Sequence, residues 1–221
     1  MSGFATARQK MVDGQVRTND VTDSRIIEAM LAIPRELFVP EDRRALAYLD
    51  LDLDVTAGGS AKRYMIKPQV LAKMLQAASI EATEKVLVVG CATGYAAALA
   101  ARLASRVTAT ENDPALVEKG NSILGQLGFT NVAIKADAAA DGDSADAPYD
   151  VIILNGATEV VPEHLFGQLT ARGRLVGVFA ASTPARATIV THSHGDFGHR
   201  ALFDAAAPVL PGLERHPSFV F

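Results

Sequence analysis

The stretch Lys85-Val86-Leu87-Val88-Val89-Gly90-Cys91-Ala92-Thr93-Gly94-Tyr95 decides the fold. Val86 to Val89 is apolar at every position, without the alternation of a half-wet strand. That is the pattern of a strand covered on both faces of a parallel sheet. A turn of small residues, Gly90 to Gly94, ends it, and the Ala-rich run from Tyr95 to Ala104 reads as a helix. Strand, turn and helix in this order form the repeating unit of an open α/β sheet, whose ligands bind beyond the carboxyl ends of the strands. Glycine in such a turn lets a ligand approach the backbone, and the helix N-terminus favours a negatively charged group.

Downstream the punctuation repeats. A strand ends in Val107-Thr108-Ala109-Thr110-Glu111; Asp113 then caps a helix with Pro114 at its first position, and Gly128 closes it. Asn131 to Ala136 and Tyr149 to Leu154 read as a third and a fourth strand, with a polar surface loop from Ala138 to Ala147 between them. Pro162 opens a helix ending near Gly173, and Leu175 to Phe179 is a fifth strand. Ala187 to His192 and Phe197 to Phe203 form a hairpin about a Gly-first turn, Gly195-Asp196. Repeated βα units followed by a hairpin predict a doubly wound α/β protein, with a mixed seven-stranded sheet and helices on both faces.

Upstream, residues 1–80 read as an N-terminal helical extension of the core formed by 81–221, the two making one compact domain. Thr22 or Asp23 caps a helix whose face carries Ile26, Ile27, Met30 and Leu31, and Pro34 ends it. A short helix follows Pro40, with Leu46 and Tyr48 facing inward. Leu51 to Val55 alternates like an edge strand before a break at Gly58-Gly59, and Pro68 starts a helix bearing Val70, Leu71, Met74 and Leu75.

Composition narrows the function. A chain of 221 residues that is 49% hydrophobic builds one substantial core. The formal net charge of −4, with no long basic block, argues against a nucleic-acid partner. The single cysteine, Cys91, excludes an intrachain disulfide and fits a reducing compartment. No stretch reads as a signal peptide or a membrane span, so a cytoplasmic protein without a membrane partner is expected. His192, His194 and His199 flank the hairpin turn, but no carboxylate or cysteine completes a pocket with them; no metal is expected.

Two acidic strand ends turn the glycine-rich turn into a site. Glu111 ends the second strand, where a carboxylate can accept both hydroxyls of a ribose. Asp137 ends the third, within reach of an adenine edge, beside the backbone N–H of Ala138 and with no evident helix to cap. Together they form an adenosine signature that neither carboxylate makes alone. A dinucleotide fingerprint needs a third glycine where Tyr95 stands, and a phosphate loop needs Gly-Lys-Ser/Thr. The Gly90-x-Ala92-x-Gly94 spacing fits a methyltransferase turn better.

On these residues the chain resembles the protein-L-isoaspartate O-methyltransferase family from about Arg8 to the C-terminus. Met11-Val12-Asp13-Gly14-Gln15-Val16, Ile33-Pro34-Arg35-Glu36-Leu37-Phe38-Val39-Pro40 and Ala47-Tyr48-Leu49-Asp50 are similar to the family's opening elements. Pro68-Gln69-Val70-Leu71-Ala72, the turn itself, Glu111, Asp137, Ala147-Pro148-Tyr149-Asp150 and Gly173-Arg174-Leu175-Val176 complete the series in order. The resemblance implies a class I, Rossmann-like fold and S-adenosylmethionine as cofactor. It places that cofactor on Gly90, Cys91, Ala92, Gly94, Glu111, Asn112, Asp137 and Ala138, and implies a protein or peptide carboxylate, or a small-molecule acceptor, as partner.

The sequence departs from the family at several points. Val88 stands for a carboxylate, Ala92 for a central glycine, and Asp137-Ala138 for Asp-Gly. The substrate loop, Gly-Gln-Thr-Ile-Ser-x-Pro in the family, here reads Lys62-Arg63-Tyr64-Met65-Ile66-Lys67 before Pro68, so the serine hydroxyl is missing. Ser60 stands in for it only through a six-residue slip. Carboxyl methylation needs alignment more than acid–base chemistry, because a carboxylate with a pKa near ~4 is already an anion. Tyr64 and Asn155 are therefore the candidate catalytic donors that orient the acceptor, while Lys62, Arg63 and Lys67 read first as a solvated loop. Three functions stay open: isoaspartyl carboxyl methylation, methylation of another acceptor, and cofactor binding without catalysis.

Overall fold

A computed structural model describes residues 3–56 and 61–215. The expected break at Gly58-Gly59, and Ser60, lie outside the described residues. Helix α1 (Gly3–Met11) leads through tighter and wider single turns to α2 (Ser24–Ala32), which Asp23 caps by accepting the Arg25 backbone N–H at 2.9 Å. Strands β1 (Leu53–Asp54) and β2 (Tyr64–Met65) pair antiparallel, Leu53 opposite Met65. Helix α3 (Pro68–Ala78) begins on its proline, as expected.

The core then runs β3 (Lys85–Val89), α4 (Tyr95–Ala101), β4 (Arg106–Glu111), α5 (Pro114–Gln126), β5 (Val132–Ala136), β6 (Tyr149–Thr158), α6 (Glu163–Phe166), β7 (Leu169–Phe179), β8 (Arg186–Ser193) and β9 (Asp196–Asp204). The seven-stranded sheet has the order β5-β4-β3-β6-β7-β8-β9. The first five are parallel, and β8 runs antiparallel to both neighbours. Val86 and Val88 join the core on one face, Leu87 and Val89 the core on the other, which is why β3 is apolar throughout. The first core also takes in Met11, Ile26, Met30 and Leu71, so the N-terminal helices and the sheet share one interior.

Several expectations need correction. The helix after Pro162 lasts only from Glu163 to Phe166; Leu169 already pairs with Tyr149, and a register shift lets β7 run on through Gly173. A side chain at Gly173 would meet the Tyr149 carbonyl oxygen at 2.9 Å, so glycine there serves strand contact, not helix termination. The hairpin turn is His194-Gly195, both with positive φ (+53° and +89°), so glycine is second and the turn is of the doubly left-handed kind. Leu46 is exposed although Tyr48 is buried, because the turn over Glu41–Leu46 is a 3₁₀ segment, whose threefold repeat rotates Leu46 outward. The edge strand is two residues long. Ala138 to Ala147 is not wholly a surface loop: Ala139 and Asp143 are buried, and Asp143 accepts from the Tyr149 hydroxyl at 2.7 Å and the Lys135 ammonium at 2.8 Å.

One side chain ties the N-terminal part to the sheet. Arg174 on β7 donates to Glu84 through two 2.8 Å bonds and to the backbone carbonyls of Ala78 and Ser79, the end of α3. Burial alone would raise the Glu84 pKa, but the Arg174 bonds outweigh it and hold the carboxyl below its ordinary value. The stability this contributes is present above the unfolded glutamate pKa and is lost as pH falls through the depressed folded one. Arg174→Ala should lower the unfolding free energy by about 2 kcal/mol at neutral pH and less near pH 3, measured by urea denaturation.

Candidate active site

The strand order reverses between β3 and β6, which in an open α/β sheet opens a crevice beyond the strands' carboxyl ends. The turn after β3 lies there. Gly90 (φ +66°), Ala92 (φ +52°) and Gly94 (φ +94°) are all left-handed, so the chain coils back on itself before α4. The Cys91 N–H donates to the Thr110 carbonyl at 2.9 Å, and the Thr93 hydroxyl to the Phe38 carbonyl at 2.5 Å. Cys91 is buried; desolvation first, then the neighbouring Glu111 charge, push its thiol well above the usual range, so it stays protonated.

Glu111, at the end of β4, is fully buried and accepts from every side. Its Oε2 takes the Ala92 N–H at 2.8 Å; its Oε1 takes the N–H groups of Asn112 at 2.9 Å and Asp113 at 3.2 Å. The remaining face is closed by Arg63, whose Nε donates to Oε1 at 2.9 Å and Nη2 to Oε2 at 2.6 Å. Arg63 is only 3% exposed, which overturns the expectation of a solvated loop residue. The β1–β2 hairpin puts it there: Val55 donates its N–H to the Arg63 carbonyl at 2.8 Å, and the Arg63 N–H donates to the Thr56 hydroxyl at 3.0 Å. Arg63 and Met65, two apart on an extended chain, therefore point inward together.

A second group fills the crevice from the C-terminal side. Residues 208–210 lie alongside the end of β6, with Ala157 donating to the Pro208 carbonyl at 2.8 Å and Leu210 to the Ala157 carbonyl at 2.9 Å. The Leu210 side chain is thereby pressed between two glycines. A Cβ at Gly90 would lie 2.5 Å from its Cδ2, and one at Gly156 2.8 Å from it. Nothing in the sequence around Leu210 signals this position.

The other predicted residues fall around this centre. Asn155 is buried and donates its amide to the Gly90 carbonyl at 3.0 Å, bracing the turn from β6. Tyr64 is half-buried on β2, and Ile66 is buried, its carbonyl accepting from Arg35 at 2.7 Å. Asp137 is half-buried and donates its N–H to the Glu111 carbonyl at 3.2 Å; among the described residues its carboxylate has no hydrogen-bond partner. Asn112 is exposed and Ala138 half-buried. Among the described residues no group of three or more His, Cys, Asp or Glu side chains is placed to hold a metal; His192 instead stacks on Phe197.

The fold, with its glycine turn and two acidic strand ends at the reversal point, defines a class I methyltransferase architecture of the Rossmann-like type. The chain belongs to the protein-L-isoaspartate O-methyltransferase family: residues 6–191 match the family model described as Protein-L-isoaspartate(D-aspartate) O-methyltransferase (PCMT). A protein-L-isoaspartate O-methyltransferase of Koribacter versatilis is 38% identical over 80% of this chain and 78% of its own length. One from Geobacter metallireducens is 39% identical over 78% of each. Among solved structures, a protein-L-isoaspartate O-methyltransferase superposes with a TM-score of 0.82 at 24% identity, covering 94% of this chain and 67% of that one. A Plasmodium falciparum protein described as a beta-aspartate methyltransferase, in complex with S-adenosyl-L-homocysteine, gives 0.76 at 16% identity over 95% and 99%. The last two establish the fold.

The family's cofactor is S-adenosylmethionine; of the residues expected from the sequence to hold it, Glu111 and Gly90 are engaged with the chain itself. Both Glu111 oxygens are paired with Arg63, and the open face of Gly90 is covered by Leu210. In this arrangement a ribose does not fit against Glu111.

The turn carries its own test. Ala92 holds a left-handed φ where the family has glycine, a conformation that costs an alanine about 1–2 kcal/mol. Ala92→Gly releases that strain but gives back ~0.4–1 kcal/mol through the freer unfolded chain. A net stabilisation of roughly 0.5–1 kcal/mol is expected by denaturant unfolding, whereas a loss would show that the Ala92 methyl packs favourably in the turn.

Proposed function

We propose that this chain methylates a carboxylate, in isoaspartyl-containing protein or a related acceptor, with S-adenosylmethionine as donor. The observation that supports this best is the family match over residues 6–191, with the acidic pair Glu111 and Asp137 standing at successive strand ends beside the glycine turn. The cofactor supplies an activated methyl group when bound. The chain supplies alignment and exclusion of water in the crevice between β3 and β6. Asp137, with its free carboxylate, is assigned to the adenine edge, and Glu111 to the ribose. Tyr64 and Asn155 are the assigned acceptor-orienting donors: Tyr64 presents a phenol on β2, and Asn155 spends one amide hydrogen on Gly90 and keeps the other. A protein acceptor inside the cytoplasm fits the composition; among the described residues no helix is long and apolar enough to cross a membrane.

A second reading, a different acceptor, is favoured by one observation. Ile66, at the place of the family's serine, is 1% exposed and part of the core, so no hydroxyl is presented there. Losing one positioning hydrogen bond lowers a rate of this kind by ~10–100-fold. Labelled methyl transfer to a synthetic isoaspartyl peptide, with its aspartyl twin as control, should therefore show turnover well below that of relatives that keep the serine. Tyr64→Thr with Ile66→Ser should raise it in the fraction that stays folded. Turnover equal to those relatives in the unmodified protein would show that Tyr64 or Asn155 already performs the serine's role.

A further inference from the structure

We infer that Arg63 is an internal competitor for the ribose site: its guanidinium occupies the carboxylate that the cofactor's ribose requires, so the cofactor binds only when the Arg63 side chain leaves Glu111. The inference rests on the reading of the chain as an S-adenosylmethionine-dependent enzyme, and on four observations independent of the family match. The guanidinium meets the carboxylate in the two-pronged geometry that arginine and glutamate prefer, at 2.9 and 2.6 Å. Both partners are buried, 4% and 0% exposed at the side chain, so the pair is hardly screened by solvent. The three backbone N–H groups already on Glu111 leave no second free face for a ribose diol. Finally, Arg63 Nη2 and Leu210 stand side by side over Gly90, 3.2 and 2.5 Å from where a side chain on that glycine would begin, so the backbone face a ligand would approach is covered too.

The chemistry of the exchange is plain. A ribose offers two neutral hydroxyl donors, whereas the guanidinium offers two donors and a full charge. Opening the latch leaves Glu111 buried and uncompensated until the ribose arrives, which makes the closed state the favoured one. The apparent dissociation constant is the intrinsic one divided by the fraction of open molecules. A latch closed in about 90–99% of molecules weakens apparent binding ~10- to 100-fold. The family's glutamine at this place carries an amide, which can donate to a carboxylate but brings no charge.

The test is calorimetric titration of S-adenosylmethionine into the wild-type chain and Arg63→Gln, with circular dichroism and thermal unfolding as controls for the fold. Arg63→Gln should bind ~10- to 100-fold more tightly and show a larger cofactor-induced rise in Tm than wild type, although less stable alone. Arg63→Lys, which keeps the charge but loses the fork, should lie between the two, and serves if the glutamine variant does not fold. Leu210→Ala should add a further gain on Arg63→Gln. Equal, measurable affinities for wild type and the Arg63 variants would overturn the latch and leave the cofactor reading standing. No binding by any folded variant would overturn both.

Discussion

The carboxylate of Glu111 is the point through which the site is organised. It sits at the end of β4, yet its oxygens collect the Ala92 N–H from the turn after β3, two N–H groups from the start of α5 and the fork of Arg63 from the hairpin. A buried carboxylate left unpaired is costly, and one with all of its acceptor positions filled orders whatever fills them. Three stretches of chain distant in sequence, around residues 63, 92 and 111–113, thus meet at a single group. The left-handed Ala92 illustrates the consequence: its strained backbone is held where its N–H meets Glu111.

The fold was legible because its signals are local. An apolar run with no alternation, a turn of small residues and caps such as Asp113-Pro114 each state their structure within a few residues, and the seven-stranded sheet contains every strand predicted from Val86 onward. Apart from the exact turn at His194-Gly195 and the direction of Leu46, what failed depends on contact at a distance. Gly173 looks like the end of a helix by itself, and becomes a strand residue only because the Tyr149 carbonyl lies against it. The Ala/Asp-rich stretch reads as a polar surface loop, and is partly buried because Asp143 meets Tyr149 and Lys135.

The site divides in the same way. Gly90, Gly94, Glu111 and Asp137 stand out in the sequence as candidates because each occupies a strand end or a tight turn, positions with few physical explanations. Arg63 was not, because charged residues in a loop are solvated by default. One signal was available: on a strand, residues 63 and 65 share a face, and Met65 is apolar, so a hairpin that buries Met65 carries Arg63 inward with it. Leu210 had no comparable signal, since its place follows from backbone pairing of residues 208–210 with the end of β6.

The departures from the family pattern are coherent when read through this carboxylate. Arginine in place of glutamine adds a charge facing Glu111, alanine in place of glycine narrows the turn that donates to it, and isoleucine in place of serine turns the following loop residue into core. Each change favours the chain's own packing over an open crevice. None removes the residues proposed above to meet a nucleoside: Glu111 and Asp137 stand at their strand ends and Gly90 is bare of a side chain. A site losing its ligand by neglect would be expected to lose the buried acid first, since an unused buried carboxylate is a liability. Here the acid has been kept and given a partner of opposite charge, carried on the residue just before β2 and buried with it.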